Sequence, residues 1–255
     1  MSAVPDVMLH VNQLVKRFGT LAATDHANVS VERGALHALI GPNGAGKTTL
    51  IHQISGAIQP DAGSVHFAGQ DITAMPMHQR ALRGLLRSYQ ITSILKKLSV
   101  LDNIGLAVQA RSGSSMRFWA CARSESARYA EAAAVAERVG LGSRLNTLSG
   151  LLSHGQQRQL ELGLVLAAKP QLLLLDEPMA GMGPDESESM VTLLQSLRGE
   201  VTILLVEHDM DAVFRLADKI STLVFGQVIA TGSAQEIRDN PEVRRAYLGD
   251  DEALA

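Results

Sequence analysis

The spacing of apolar and polar positions separates this chain into three stretches. From residue 8 to 40, short β-rich runs alternate with turn residues: 9–15, 28–31 and, after Glu32-Arg33-Gly34, 35–40. That pattern predicts antiparallel strands leading into one buried strand. A helix-like run at 48–58 follows residues 41–47 and stops at Gln59-Pro60-Asp61-Ala62-Gly63, with a strand-like 64–67 beyond it. Between about 91 and 160 the pattern changes. Ser99 stands where it can cap a helix running to about Arg111, the Ala-rich 125–139 is helical by composition, and 111–115 reads as a loop. After this stretch, 172–175, 202–206 and 219–225 read as strands separated by helical segments, the rhythm of a parallel sheet. The expectation is an α/β core, about 1–90 and 161–255, with a helical subdomain inserted at about 91–160. There is no internal repeat and no low-complexity segment.

Composition narrows the class. The 255 residues are 46% hydrophobic and 19% charged, with a formal net charge of -3, ordinary for a globular protein and without the basic excess of a nucleic-acid binder. One cysteine, Cys121, rules out an intrachain disulfide and points to a reducing compartment, with a structural rather than catalytic thiol. The first ten residues lack a basic flank followed by an apolar core, so no secretory signal is expected. The longest apolar runs fall well short of the roughly 20 residues of a membrane span. The chain is therefore expected to be soluble, reaching any membrane through a partner.

Gly41-Pro42-Asn43-Gly44-Ala45-Gly46-Lys47-Thr48 fits G-x-x-x-x-G-K-[ST] and lies between a buried strand and a helix. Glycines let successive backbone N–H groups turn inward onto phosphate oxygens, and the helix N-terminus near Lys47, with Thr49 behind it, adds partial positive charge. Lys47 is then the ligand of the β- and γ-phosphates, and the Thr48 hydroxyl a ligand of Mg²⁺. Nucleotide binding follows, with ATP and Mg²⁺ as the expected ligands.

Four leucines ending in Asp176-Glu177 describe a strand buried on both faces that stops in two carboxylates. Two acids there are costly unless the site needs negative charge. Mg²⁺ and an attacking water supply that need, with Asp176 holding the ion through its water shell and Glu177 as general base. Pro178 stops the strand.

These two motifs occur in many NTPases; the discriminating one is Leu152-Ser153-His154-Gly155-Gln156-Gln157-Arg158. It resembles the LSGGQ signature of ATP-binding cassette (ABC) proteins, with His154 where glycine is commonest. Leu160, Leu164, Ala167 and Ala168 follow at i, i+4, i+7 and i+8, one apolar helical face. The signature thus falls at a helix N-terminus, where Ser153, Gly155 and Gln156 can meet a phosphate. The resemblance implies a RecA-like P-loop NTPase core with an antiparallel β-subdomain and the inserted helical subdomain. It also implies a head-to-tail pair, the signature of each subunit closing on the γ-phosphate held by the other. By the same resemblance Gln90 corresponds to the Q-loop glutamine that senses Mg²⁺, His208 to the switch histidine, and Phe18 to the aromatic stacked on adenine. The run from Ala180 to Asp185 departs from the usual D-loop.

The likeness extends along essentially the whole chain. The segments LSHGQQRQLELG, DEPMAGMGP and VEHDM, and the tail from Ile237 to Gly249, resemble bacterial importer ATPases for branched-chain amino acids, close to those for amides and urea. The resemblance implies an ATPase at the cytoplasmic face of the inner membrane. Its partners are then a second ATPase, identical or not, two permeases and, indirectly, a periplasmic solute-binding protein, with no nucleic acid. The rival is a soluble ABC ATPase acting on ribosomes or DNA. One cassette, no heptad run and no basic tail argue against it. A subunit that binds without hydrolysing is disfavoured by Glu177 and His208.

Overall fold

The computed structural model describes residues 6–88, 94–111 and 122–248. Gln90 and Cys121 lie outside these residues. The first part of the chain forms β1 (Val7–Phe18), β2 (Leu21–Glu32), β3 (Leu36–Ile40), α1 (Lys47–Ser55), β4 (Ala62–Phe67), β5 (Gln70–Asp71), α2 (Met77–Leu82) and β6 (Leu85–Arg87). Helices α3 (Val100–Arg111), α4 (Ala122–Arg138) and α5 (His154–Ala167) follow, then β7 (Leu172–Asp176), α6 (Pro184–Ser196), β8 (Thr202–Val206), α7 (Met210–Leu216), β9 (Lys219–Val224) and β10 (Gln227–Gly232). The tail adds α8 (Ala234–Asp239) and α9 (Pro241–Leu248).

Two sheets result. One is antiparallel, in the order β2-β1-β4-β5; the other runs β10-β9-β3-β8-β7-β6, parallel except for the edge strand β10. Every residue of β3, β7 and β8 is buried, which is why these strands read as unbroken apolar runs. Side chains alternate along β3. Leu39 joins the core shared with β1, β2 and α1, while Ala38 and Ile40 pack with Val213, Ile220 and Ile237.

Strands β1 and β2 run beyond the predicted 9–15 and 28–31 because polar residues continue the ladder, as in Lys16↔Thr24, down to Phe18↔Leu21. Helix α1 stops at Ser55, short of the predicted 58. Gly56 takes φ 80, and its N–H meets the carbonyls of Gln53 and His52. The buried Arg80 then donates to the carbonyls of Gln53 and Ile54 at 2.8 Å, satisfying groups that the helix end leaves over.

The chain divides into two compact units, Met1–Arg87 with Gln171–Glu177 and Leu197–Ala255, and Ser88–Pro170 with Pro178–Ser196. The second unit is helical and reaches beyond the 91–160 read from composition, taking in all of α5 and α6. Ser99 caps α3, accepting from the Asp102 N–H at 3.0 Å and donating to its carboxylate. Helix α5 buries Leu160, Leu162, Gly163, Leu166 and Ala167, a wider face than predicted, whereas Leu164 and Ala168 are half-buried. Gly163 faces Val139 and Ile104 of this unit so closely that a Cβ would lie 3.3 Å from Val139.

Candidate functional site

Strand register gathers the first group of site residues. Val206 of β8 pairs with Leu39 of β3 on one side and with Asp176 of β7 on the other. Three adjacent parallel strands therefore end level, about 4.8 Å apart, and their next residues open the phosphate loop, Glu177 and Glu207-His208. A ligand at this edge meets all three loops.

The loop is shaped by its glycines. Gly41, Gly44 and Gly46 have φ of 153°, 80° and 103°. A Cβ on Gly41 would come within 2.1 Å of the Leu223 carbonyl, and one on Gly46 within 2.0 Å of the Ala23 carbonyl. Backbone crowding, as well as φ, therefore demands glycine there. Helix α1 begins with no side-chain cap and no acidic residue in its first turn, so its N-terminal N–H groups face the loop uncompensated. Asn43, Gly44 and Thr48 are exposed, Pro42 and Thr49 half-buried, and Ala45 buried. Lys47 is 8% exposed, its Nζ donating to the carbonyls of Gly41 at 2.6 Å and Pro42 at 3.0 Å. Burial lowers its pKa, opposed by the carboxylates of Glu177 and Asp176. A buried cation thus sits against the loop carbonyls at the N-terminus of α1, a place where a phosphate could replace those carbonyls as its partner.

The two carboxylates divide. Asp176 points inward, its side chain 1% exposed, with Oδ2 3.0 Å from the Arg87 guanidinium. Burial raises its pKa, Arg87 opposes that rise, and Glu177 adds to it. Asp176 Oδ1 is buried without a hydrogen-bond partner, an acceptor open to a cation or its water shell. Glu177 is one of the few non-glycine residues at positive φ, 50°, its N–H fixed on the Val206 carbonyl at 2.8 Å. This turn brings its carboxylate, 33% exposed, to 3.9 Å from Nδ1 of His208, itself 63% exposed. The His208 N–H donates to the buried Glu207 carboxylate at 3.1 Å.

Sequence reasoning missed Arg87, since its meaning depends on a pairing across β6 and β7. Arg87→Met is expected to destabilise the fold by about 3–5 kcal/mol, the cost of leaving one buried charge unpaired. The loss should shrink as pH falls, because a neutral Asp176 needs no counter-charge. Thermal melts across pH check both points.

Phe18 ends β1 with 52% of its surface exposed and Lys16 Nζ 5.7 Å from the ring centroid. The Ala23 carbonyl against Gly46 brings this hairpin beside the phosphate loop, so an exposed ring stands where a base could stack. Tyr247, also missed, hydrogen-bonds the Gly41 backbone from α9, and burial pushes its hydroxyl up to about 12.

The signature residues lie in the helical unit. Ser153 is the N-cap of α5 in a capping box with Gln156: its Oγ accepts from the Gln156 N–H at 3.3 Å, while Gln156 Oε1 accepts from the Ser153 N–H at 3.2 Å. His154 is the first helical residue and Gly155 the second.

The ABC transporter family profile matches residues 24–180, well over half of the chain. The chain belongs to the ABC transporter ATP-binding family. A second profile, the branched-chain amino acid ATP-binding cassette transporter, matches residues 227–253 of this cassette. It is 37% identical to the high-affinity branched-chain amino acid transport ATP-binding protein BraF of Pseudomonas aeruginosa, over 95% of this chain and 98% of that one. Likeness to LivG of Escherichia coli, described in the same words, is 35% over the same shares. The ADP conformation of MJ1267, an ATP-binding cassette of an ABC transporter, superposes with a TM-score of 0.81 at 28% identity, covering 96% of this chain and 99% of that one. The RecA-like core with antiparallel β-subdomain and helical unit is thus the ABC ATPase fold, and the cassette binds nucleotide.

Among the described residues no group of three or more His, Cys, Asp or Glu is placed to hold a metal by itself. Thr48 and Asp176 fit Mg²⁺ as partial ligands to an ion that also takes phosphate oxygens and water.

Proposed function

We propose that this chain is the ATP-hydrolysing subunit of a bacterial importer for branched-chain amino acids or related amides or urea. Likeness to BraF and LivG over 95% of this chain, with the tail matched at 227–253, carries this reading. The loop Gly41–Thr48 with Thr49 binds the phosphates, Lys47 exchanges its two carbonyl partners for phosphate oxygens, and Phe18 stacks on adenine. Thr48 and, through the ion's water shell, Asp176 would hold Mg²⁺, with Gln90 the residue that senses it by the family resemblance; bound there, the ion would supply charge neutralisation at the phosphates. Glu177 takes a proton from the attacking water, and His208 orients that water and contacts the γ-phosphate.

Ser153, Gly155 and Gln156 of a partner ATPase complete the site in a head-to-tail pair. The pair acts on two permeases at the cytoplasmic face of the inner membrane, fed by a solute-binding protein. Among the described residues no helix is long and apolar enough to cross a membrane, which fits a subunit that attaches through partners. Uptake of labelled leucine, urea and short amides, measured in cells lacking this chain and in cells given it back, tests the proposal. One substrate should lose uptake and regain it with the wild-type chain but not with Glu177→Gln. Unchanged uptake of all of them would contradict the proposed substrate class.

A further inference from the structure

The signature already holds an anion, and it comes from its own chain. Glu186, in the first turn of α6, has one carboxylate oxygen 2.8 Å from Ser153 Oγ and 3.1 Å from the Gly155 N–H. The Gly183 N–H donates to the same carboxylate. A Cβ on Gly155 would fall 2.5 Å from the Glu186 carboxyl carbon, so the carboxylate sits in the space that the glycine leaves clear. Hydroxyl and backbone N–H at a helix N-terminus are the donors that take phosphate oxygens, and here a carboxylate engages both. These contacts hold the Glu186 pKa below the usual range, with the Ser153 hydroxyl as the largest cause and the nearby His154 also favouring the anion.

We propose that Glu186 is an internal latch on the signature: its carboxylate occupies Ser153 and Gly155 in the unpaired cassette and must swing off before a partner's nucleotide phosphate can take its place. The latch rests on the reading of the signature as the cross-subunit phosphate site. It makes closure a competition between two anions for the same donors, so more ATP is needed to close the pair than the phosphate loop alone would require.

The test uses the complex drawn from its own membranes, with Glu186→Gln and, separately, Glu186→Ala. Both should lower the ATP concentration for half-maximal hydrolysis about fivefold, the order of one exposed charge-assisted contact. Affinity of the isolated chain for a fluorescent ATP analogue should not change, because the phosphate loop is intact. An unchanged or raised half-maximal concentration, or lost turnover in both variants, would overturn the latch and leave Glu186 as a cap of α6. Ser153→Glu separates the underlying reading: a carboxylate fixed at the N-cap should abolish turnover, and wild-type turnover there would mean the signature does not meet phosphate at all.

Discussion

Glu177→Gln is expected to bind ATP with near wild-type affinity and to hydrolyse it about 10²–10⁴-fold more slowly, the range a positioned general base contributes. The geometry separates Glu177 from its neighbour. Asp176 is turned inward onto Arg87, whereas the left-handed backbone of Glu177, anchored through Val206, aims its carboxylate outward beside His208. Strain of this kind persists where the surrounding structure enforces it, and it collects at working sites. Glutamine keeps the shape and loses the basicity. Because the side chain is partly exposed, the exchange should leave stability within about 0.5 kcal/mol. Single-turnover hydrolysis with a parallel binding titration checks this; wild-type turnover would remove Glu177 from the role.

Lys47→Ala should act on binding instead. The Lys47 ammonium is already desolvated and donates to two loop carbonyls, so a phosphate arriving there would meet it without its first shedding water. A hydrogen bond to a charged group contributes about 1.5–3 kcal/mol, so nucleotide affinity should fall about 10- to 150-fold. The loop itself should survive, since its shape depends on Gly41 and Gly46 packing against backbone. Equilibrium binding of the fluorescent analogue measures the loss, and unchanged affinity would undo the assignment of Lys47.

What could be read in advance divides along a physical line. Local chemistry was legible: Ser99 and Ser153 announce helix starts, and the strands with unbroken apolar runs are the fully buried ones. The placing of residues 41–48 between β3 and the start of α1 was legible too, because the pattern is carried by consecutive residues. A capping box also forms between Ser233 and Glu236 at the start of α8, a helix that the sequence reading did not single out. Features that depend on distant pairing were not legible. Arg80 closing α1 from 26 residues away, Arg87 on Asp176, Tyr247 against Gly41 and Glu186 on the signature are ordinary charged or polar residues until the chain folds. The extent of the helical unit belongs with these, since α6 joins it across the intervening strand β7.

The central claim, that this ATPase drives a membrane importer, is tested most directly by gentle extraction of the tagged chain from native membranes and mass spectrometry of what accompanies it. Two polytopic permeases and a second ATPase subunit are predicted, with ATP hydrolysis by the complex that the Glu177→Gln chain lacks. Recovery with ribosomal proteins or nucleic acid, and no membrane protein, would contradict the account.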